Sequence, residues 1–436
     1  MHKPMLNELK KILNLNTEFS RNVFTLVTGT TIAQIIPIAI SPILTRIYTP
    51  EDFGVLALFL SVSMLVGAIA SARYEQAIIL PEKDEDALNL IVLSLSFLVV
   101  ICCMILMVIL LFYGRIVILL NNDAISVWLY FVPLMIFLLG SFNIINVYAT
   151  RQKQYKMIAK ANVYKSLVLA TIQIILGVVK SGVSGLISGQ IFSTITSTMT
   201  LVKNTVNLRK IFQVVTLEKI RSLAKRYIRF PKYSLWAIMS NALTQNVVNV
   251  SVSSFFSITT LGFYSFANKI IAMPINLIGT SVGQVFYQQA LREQQETGRS
   301  VKTFKAVVSK LVMLSFVIFI PLYFVVEDIF AFVFGDKWKI AGQFTKILIP
   351  FIMMKFIVSP LSTINNIFDK QIASLIWQIG LLIITLTVLV WTKVFHVDFQ
   401  TFISFYAKIV SVYYLMMLPV LYNHSRGKNW FGSSKN

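Results

Sequence analysis

Long apolar stretches recur along this chain and are separated by short polar segments. A helix needs about 20 apolar residues to cross a bilayer, and most of the stretches reach that length. The pattern therefore predicts an all-α polytopic membrane protein with about twelve transmembrane helices. The predicted spans are residues 24–45, 55–72, 88–112, 124–149, 161–179, 183–202, 235–256, 263–288, 306–333, 343–368, 371–392 and 400–422.

A basic polar segment at residues 203–234 divides the predicted spans into two sets of six. Its apolar residues recur at helical spacing, and Glu218 is its one acidic residue. We expect a surface helix that touches anionic lipid headgroups, with a docking site for a cytoplasmic protein as the alternative. The predicted domains are an interfacial helix at 1–23, a six-helix bundle at 24–202, the linker at 203–234, a second bundle at 235–422 and a tail at 423–436.

Short matches between the two sets of spans indicate an internal repeat. Phe53-Gly54-Val55 corresponds to Leu261-Gly262-Phe263, and further matches pair Arg151-Gln152 with Lys370-Gln371 and Asn146 with Asn365. Six spans in each half give both halves the same orientation, so the repeat is parallel. Two such bundles that face each other would enclose a central cavity, which is a transporter architecture.

The composition agrees with a membrane protein rather than a nucleic-acid-binding one. The chain is 56% hydrophobic and 13% charged, with a net charge of +21 and a mean hydropathy of +0.74. With the N-terminus inside, the inner segments hold roughly four times as many Lys and Arg residues as the outer ones, which predicts both termini in the cytoplasm. Cys102 and Cys103 are adjacent in an apolar stretch. We predict no metal site, no cofactor and no enzymatic activity.

The segment from Pro42 to Pro81 joins the first two predicted spans through a short charged turn. Thr49 can cap the second helix, and Pro50 suits its first position. The sequences PILTRIYTPEDFG and RYEQAIILP resemble those of the bacterial polysaccharide and O-antigen flippases, in the multidrug/oligosaccharidyl-lipid/polysaccharide exporter superfamily. The residues that carry the resemblance are Arg46, Pro50, Phe53, Gly54, Arg73, Tyr74, Glu75 and Pro81.

This resemblance implies that the protein translocates a polyprenyl-diphosphate-linked oligosaccharide, such as an O-antigen repeat unit, by alternating access. The expected location is the bacterial inner membrane. The expected partners are the lipid-linked oligosaccharide, membrane lipids and other polysaccharide-assembly proteins, without nucleic acid. A proton or sodium gradient is the candidate energy source.

Positive residues inside predicted spans are the candidates for binding a diphosphate. A charge at mid-bilayer needs a partner, a wet cavity or a route to the surface. Lys165 and Lys310 lie near inner ends, where their side chains can reach the surface. The expected cationic cavity consists of Arg46, Arg73, Lys269, Lys355 and Lys408.

Polar residues at helical spacing extend these candidates, with polar contacts between helices as the alternative explanation. Four stripes are predicted, one on each of spans 1, 7, 8 and 10. The expected polar lining consists of Gln34, Asn241, Gln245, Asn249, Asn276, Ser359 and Asn366. Glu75 is the candidate for ion coupling, and a structural ion pair with Arg73 is its alternative.

Three other functions are compatible with many spans. A drug exporter of the same superfamily would need acidic residues in its cavity, and none lies mid-span. A major-facilitator transporter usually has a Gly-Asp-Arg pattern after its second span, where this chain has RYEQAIILPEKDEDA. A polysaccharide polymerase needs a large outer loop, and the predicted outer loops are short.

Overall fold

The computed structural model describes residues 18–120, 122–207, 213–273 and 275–428, without the side chains of 18–24, 27, 233, 237, 276, 277 and 280. The predicted interfacial helix at 1–23 lies mostly outside this range. The described chain forms these α-helices: α1 Glu18–Ala39, α2 Ser41–Ile47, α3 Pro50–Gly67, α4 Asp84–Leu120, α5 Ser126–Leu129, α6 Val132–Arg151, α7 Tyr155–Val178, α8 Val183–Thr205, α9 Leu217–Arg226, α10 Leu235–Phe255, α11 Ile258–Ile271, α12 Thr280–Thr297, α13 Val301–Phe334, α14 Lys339–Leu361, α15 Ile364–Ile367, α16 Gln371–Val394 and α17 Phe399–Ser425.

Short non-α helical turns connect several of these helices. Turns of 3₁₀-helix occupy Tyr74–Ile79, Asp123–Ile125 and Asp336–Trp338. Turns of π-helix occupy Phe230–Ser234 and Ile275–Gly279.

Nine helices within the described residues are long and apolar enough to cross a membrane. The prediction of an all-α polytopic membrane protein is confirmed, while the count of twelve stays a prediction. Two of the other predicted spans coincide with α8 and α10. The predicted span at 263–288 is not continuous, because α11 ends at Ile271 and α12 begins at Thr280, with a π-helical turn between them.

The chain forms two compact units that do not coincide with a single cut in the sequence. Unit 1 comprises residues 1–48, 62–118 and 123–238, and unit 2 comprises 49–61, 119–122 and 239–436. In unit 1, α7 packs against α1 and α8. The hydroxyl of Tyr48 donates to the carbonyl of Gln173 at 2.7 Å and fixes the end of α2 on α7. In unit 2, α14 packs against α11, α13 and α17.

Helix ends reveal the register of the internal repeat. Helices α7 and α16 both have 24 residues. Each follows a residue with positive φ, Lys153 and Asp369 respectively. The amide of Gln154 donates to the carbonyl of Ala149, and that of Lys370 donates to Asn365 in the same way. Ala149 is therefore the counterpart of Asn365. The predicted pairing of Asn146 with Asn365 is wrong in register, and so is that of Arg151-Gln152 with Lys370-Gln371, which has the same offset.

The predicted match between Gly54 and Gly262 is confirmed by the caps that precede them. The hydroxyl of Thr49 accepts from the amide of Asp52 at 3.1 Å, and the Asp52 carboxylate accepts from the Thr49 amide at 2.9 Å. Such reciprocal bonds satisfy amides that a helix start leaves open. Ser257 caps α11 through the amide of Thr260 at 3.0 Å. The glycine follows five residues after the capping residue in both helices.

These two helix starts cross inside unit 2 at their glycines. A Cβ atom on Gly54 would lie 2.9 Å from the carbonyl carbon of Ile258, and one on Gly262 would lie 2.7 Å from that of Pro50. Each glycine therefore contacts the first turn of the other helix, and no larger residue fits without moving the backbone. Beside the crossing, the buried ring of Trp338 lies 5.2 Å from the ring of Phe53.

Glu293 caps the long helix α13 from a distance in sequence. Its two carboxylate oxygens accept from the amides of Lys302 at 3.0 Å and Thr303 at 2.8 Å. Desolvation opposes ionisation of this carboxyl, but the hydrogen bonds from Thr303 and Lys302 outweigh it and lower the pKa of Glu293.

We expect Glu293→Gln to lower the free energy of unfolding by about 1 kcal/mol at neutral pH, as for other lost caps. A lowered folded-state pKa means that the contribution is complete above the unfolded-state pKa and is lost as the pH falls through the folded-state value. Thermal unfolding of the purified protein and the variant should therefore converge in acid. A constant difference at every pH would contradict this role.

Candidate functional site

Arg46 lies exposed near the end of α2. Its guanidinium donates to the carbonyl of Pro42 at 2.6 Å, one turn earlier. That bond orients the side chain along its own helix. The position is compatible with the predicted contact to phosphate.

Arg73 and Glu75 form a buried ion pair, with Arg73 Nη1 2.8 Å from Glu75 Oε1 and side-chain exposures of 14% and 1%. The hydroxyl of Ser71 donates to the other carboxylate oxygen at 2.5 Å. Ala72 and Arg73 both have positive φ, which L-residues adopt at a cost. This geometry favours a structural ion pair over a role in ion coupling or substrate binding, because the Arg73 guanidinium is already bound to the Glu75 carboxylate.

We expect Glu75→Gln to reduce the amount of folded protein in the membrane. The substitution leaves the Arg73 charge buried without its counterion, which costs about 3 kcal/mol or more. The measurement is membrane abundance together with transport per molecule. Normal abundance with lost ion dependence of transport would instead support the coupling role.

Lys269 and Lys355 differ from the other intramembrane lysines in the surface that surrounds them. Lys269 is exposed near the end of α11, and Lys355 is partly exposed on α14. These two helices pack against each other. Helix α11 exposes no large apolar side chain, and α14 exposes only Ile340. A helix face in contact with lipid would carry many such side chains.

Among the described residues, neither lysine forms an ion pair. The Lys355 ammonium lies 5.7 Å from the centre of the Phe351 ring, a cation–π distance. Phe351 in turn lies 5.9 Å from the ring of Tyr414 and 6.3 Å from that of Tyr406. Phe351 is not among the residues predicted from the sequence, although its position one turn before Lys355 was a usable signal.

Lys408 occupies a different kind of surface. It is exposed on α17, and Phe405, Val412 and Leu415 are exposed on the same helix at positions that share its face. That face is apolar apart from the lysine and suits contact with acyl chains. The structure therefore does not group Lys408 with Lys269 and Lys355. Lys165, in unit 1, lies 5.1 Å from the Phe142 ring.

The predicted polar stripe on α10 divides into two parts. The amide of Gln245 donates to the side-chain oxygen of Asn241 at 3.0 Å, and Gln245 is exposed. Asn249 instead donates to the buried hydroxyl of Ser61 at 2.8 Å. The first pair remains available to a ligand, whereas Asn249 serves helix packing.

The other predicted stripes are interrupted by the backbone. Ser359 and Asn366 are both exposed. They lie on separate helices, because α14 ends at Leu361 and Asn366 belongs to α15. Asn276 lies within the π-helical turn after α11 and so does not continue the helical face of Lys269; its side chain lies outside the described part. In span 1, Gln34 is exposed, while Ser41 is buried and donates to the carbonyl of Ile38.

Solved structures of other membrane proteins share this polytopic helical fold. A multidrug resistance MATE family transporter of the MOP superfamily, in an inward-facing conformation, is similar with a TM-score of 0.67 and 14% identity over 91% of this chain and 95% of that one. The lipid II flippase MurJ, in an inward closed conformation, has a TM-score of 0.69 and 12% identity over 91% and 86% of the two chains.

The family follows from the sequence. Residues 43–342 match the family described as polysaccharide biosynthesis protein, and the chain belongs to that family. The teichuronic acid biosynthesis protein TuaB of Bacillus subtilis (strain 168) is 22% identical over 160 residues, which are 37% of this chain. The match spans about a third of the length of that relative, 33%.

Proposed function

We propose that this protein is a flippase that moves a polyprenyl-diphosphate-linked oligosaccharide from the inner to the outer leaflet of the bacterial inner membrane. The observation that carries the proposal is the pair Lys269 and Lys355. Both are accessible, neither forms an ion pair within the described part of the chain, and their helices expose only one large apolar side chain. The family membership and the fold shared with a lipid II flippase support it.

The chemistry of the passenger explains why lysines are needed. A diphosphate carries negative charge that cannot enter hydrocarbon without compensation. Lysine ammonium groups act as point charges for phosphate, and an arginine fork binds two oxygens. Lys269 and Lys355 receive the diphosphate, and Gln245 with Asn241 offers amides to sugar hydroxyls. The polyprenyl chain remains in the bilayer.

The orientation and the energetics complete the proposal. Both termini are cytoplasmic, as the distribution of Lys and Arg predicts, and the two halves at 24–202 and 235–422 alternate between inward and outward access. A proton or sodium gradient supplies the driving force. The repeat unit is a surface polysaccharide such as O-antigen.

The test is reconstitution of the purified protein in liposomes. Transfer of a fluorescent polyprenyl-diphosphate oligosaccharide between leaflets is measured by its accessibility to a membrane-impermeant quencher. We expect protein-dependent transfer, and much slower transfer when a neutral linkage replaces the diphosphate. Efflux of lipophilic cations without any transfer of the lipid-linked sugar would overturn the proposal in favour of a drug exporter.

A further inference from the structure

A basic helix outside the membrane spans carries an inference that does not depend on the proposed function. Helix α9 begins at Leu217, where the hydroxyl of Thr216 accepts from the amide of Lys219 at 3.3 Å. From α9 to the start of α10, five cationic side chains are exposed and one acidic side chain, Glu218, is exposed. The exposed cations are Arg221, Lys225, Arg226, Arg229 and Lys232.

Large apolar side chains are exposed among these cations. Leu217 is 82% exposed, Ile228 51% and Trp236 61%. A surface that binds an acidic soluble protein by charge alone would not require three exposed large apolar side chains. Apolar side chains among exposed cations are instead typical of a helix that lies in a membrane interface.

Specific contacts within unit 1 hold α9 and the residues before it against α4. The amide of Asn89 donates to the carbonyl of Val214 at 3.2 Å, and its oxygen accepts from the amide of Thr216 at 3.2 Å. Lys219 pairs with Glu85 at 3.0 Å. Both anchors belong to the first two turns of α4, and Asn89 is fully buried. The helix is therefore a fixed part of the fold.

Tyr74 links α9 to the first exposed apolar residues of α4. Phe97 is the first exposed large apolar residue of α4, and Val99, Val100 and Met104 continue the exposed apolar band. The ring of Tyr74 stacks on that of Phe97 with centroids 5.5 Å apart. Its hydroxyl donates to the carbonyl of Ala224 in α9 at 3.0 Å. A single side chain thus connects the edge of the apolar band to α9.

From this position and charge we propose that the segment from Leu217 to Trp236 is a binding surface for anionic phospholipid headgroups. The cations contact lipid phosphates, and Leu217, Ile228 and Trp236 insert among the acyl chain ends. Each cation near an anionic surface contributes to attraction that salt screens. The bound lipid steadies α9 and, through Tyr74, the turn that contains the Arg73–Glu75 pair.

The test compares the full-length protein in nanodiscs of phosphatidylcholine with and without phosphatidylglycerol. Hydrogen exchange of the amides from Leu217 to Arg226 is the readout. We expect exchange to slow by roughly tenfold with the anionic lipid, given the strength of such contacts, and the difference to vanish at high salt. Equal exchange in both nanodiscs would overturn the proposal.

Matched variants locate the effect. Arg221→Gln, Lys225→Gln and Arg229→Gln together should remove the lipid dependence. The control removes the same charge from exposed lysines elsewhere, Lys153→Gln, Lys156→Gln and Lys160→Gln, and should retain it. Equal loss in both sets would mean a general charge effect and would refute a specific surface. Protection in phosphatidylcholine by an added acidic protein, without any effect of phosphatidylglycerol, would refute the lipid as ligand.

Discussion

Gly54→Ala and Gly262→Ala are each expected to cause a severe loss of folded, transport-competent protein. A methyl group on either glycine meets the backbone carbonyl group of the opposite helix, Ile258 or Pro50. A carbonyl within a helical turn cannot rotate away as a flexible side chain can. The two helices must separate, which typically costs 1–3 kcal/mol, about the size of other overpacking substitutions, and more where backbone must move.

Separation of the two helices would also disrupt the packing of the aromatic side chains beside the crossing. Phe53 and Phe266 both contact the buried Trp338, with ring centroids 5.2 Å and 4.5 Å from it. Moving α3 away from α11 would open voids around this indole. We therefore expect lower membrane abundance and a lower thermal midpoint, with loss of polysaccharide export following from both.

The same helix provides the control. Gly67 lies at the other end of α3, and a Cβ atom there would meet nothing within 4 Å. Gly67→Ala should leave stability unchanged or slightly improved, because alanine is the better helix former. Gly54→Ala with wild-type stability would contradict the crossing. The double variant Gly54→Ala/Gly262→Ala should lose less than the sum of the single effects, because both methyl groups separate the same two helices.

Neutralising Lys269 or Lys355 should slow transport strongly while leaving the fold intact. Lys269→Gln and Lys355→Gln each remove a charge that forms no ion pair in the described structure. Removing a charge that has no counterion leaves no buried partner uncompensated and should not destabilise the protein. A hydrogen bond to a charged group contributes about 1.5–3 kcal/mol, so each substitution should slow translocation roughly tenfold to a hundredfold.

Substitutions of the same type separate this effect from a general change of charge. Lys408→Gln removes an identical charge from the apolar face of α17 and should have little effect on transport. Lys355→Arg should restore part of the rate, since the cation remains although its geometry differs. Equal transport by wild type and the Lys269→Gln/Lys355→Gln variant, at equal abundance, would contradict the assignment of these lysines to the diphosphate-binding site. It would leave the fold and the lipid surface at α9 unaffected.

The sequence was sufficient for features that depend on local pattern. Spanning length and hydropathy are properties of consecutive residues, so the helical membrane fold followed from them. The cap at Thr49 and Pro50 also depends on neighbouring residues only, and the structure shows it at the predicted place. The equivalence of Gly54 and Gly262 was visible because both follow the start of a helix at the same distance.

Tertiary structure decided which polar residues are accessible. Residues spaced every four positions share a face only while the helix continues, and the ends of α11 and α14 break two predicted stripes. The fate of a charge depends on its surroundings, which no local pattern contains. Arg73 lies buried against Glu75, Lys408 lies among exposed apolar side chains, and Lys269 lies on a helix that exposes none of them. Hydropathy indicates that a charge buried in the membrane costs free energy. Only the packing of segments distant in sequence determines which side chains, lipid or water surround that charge.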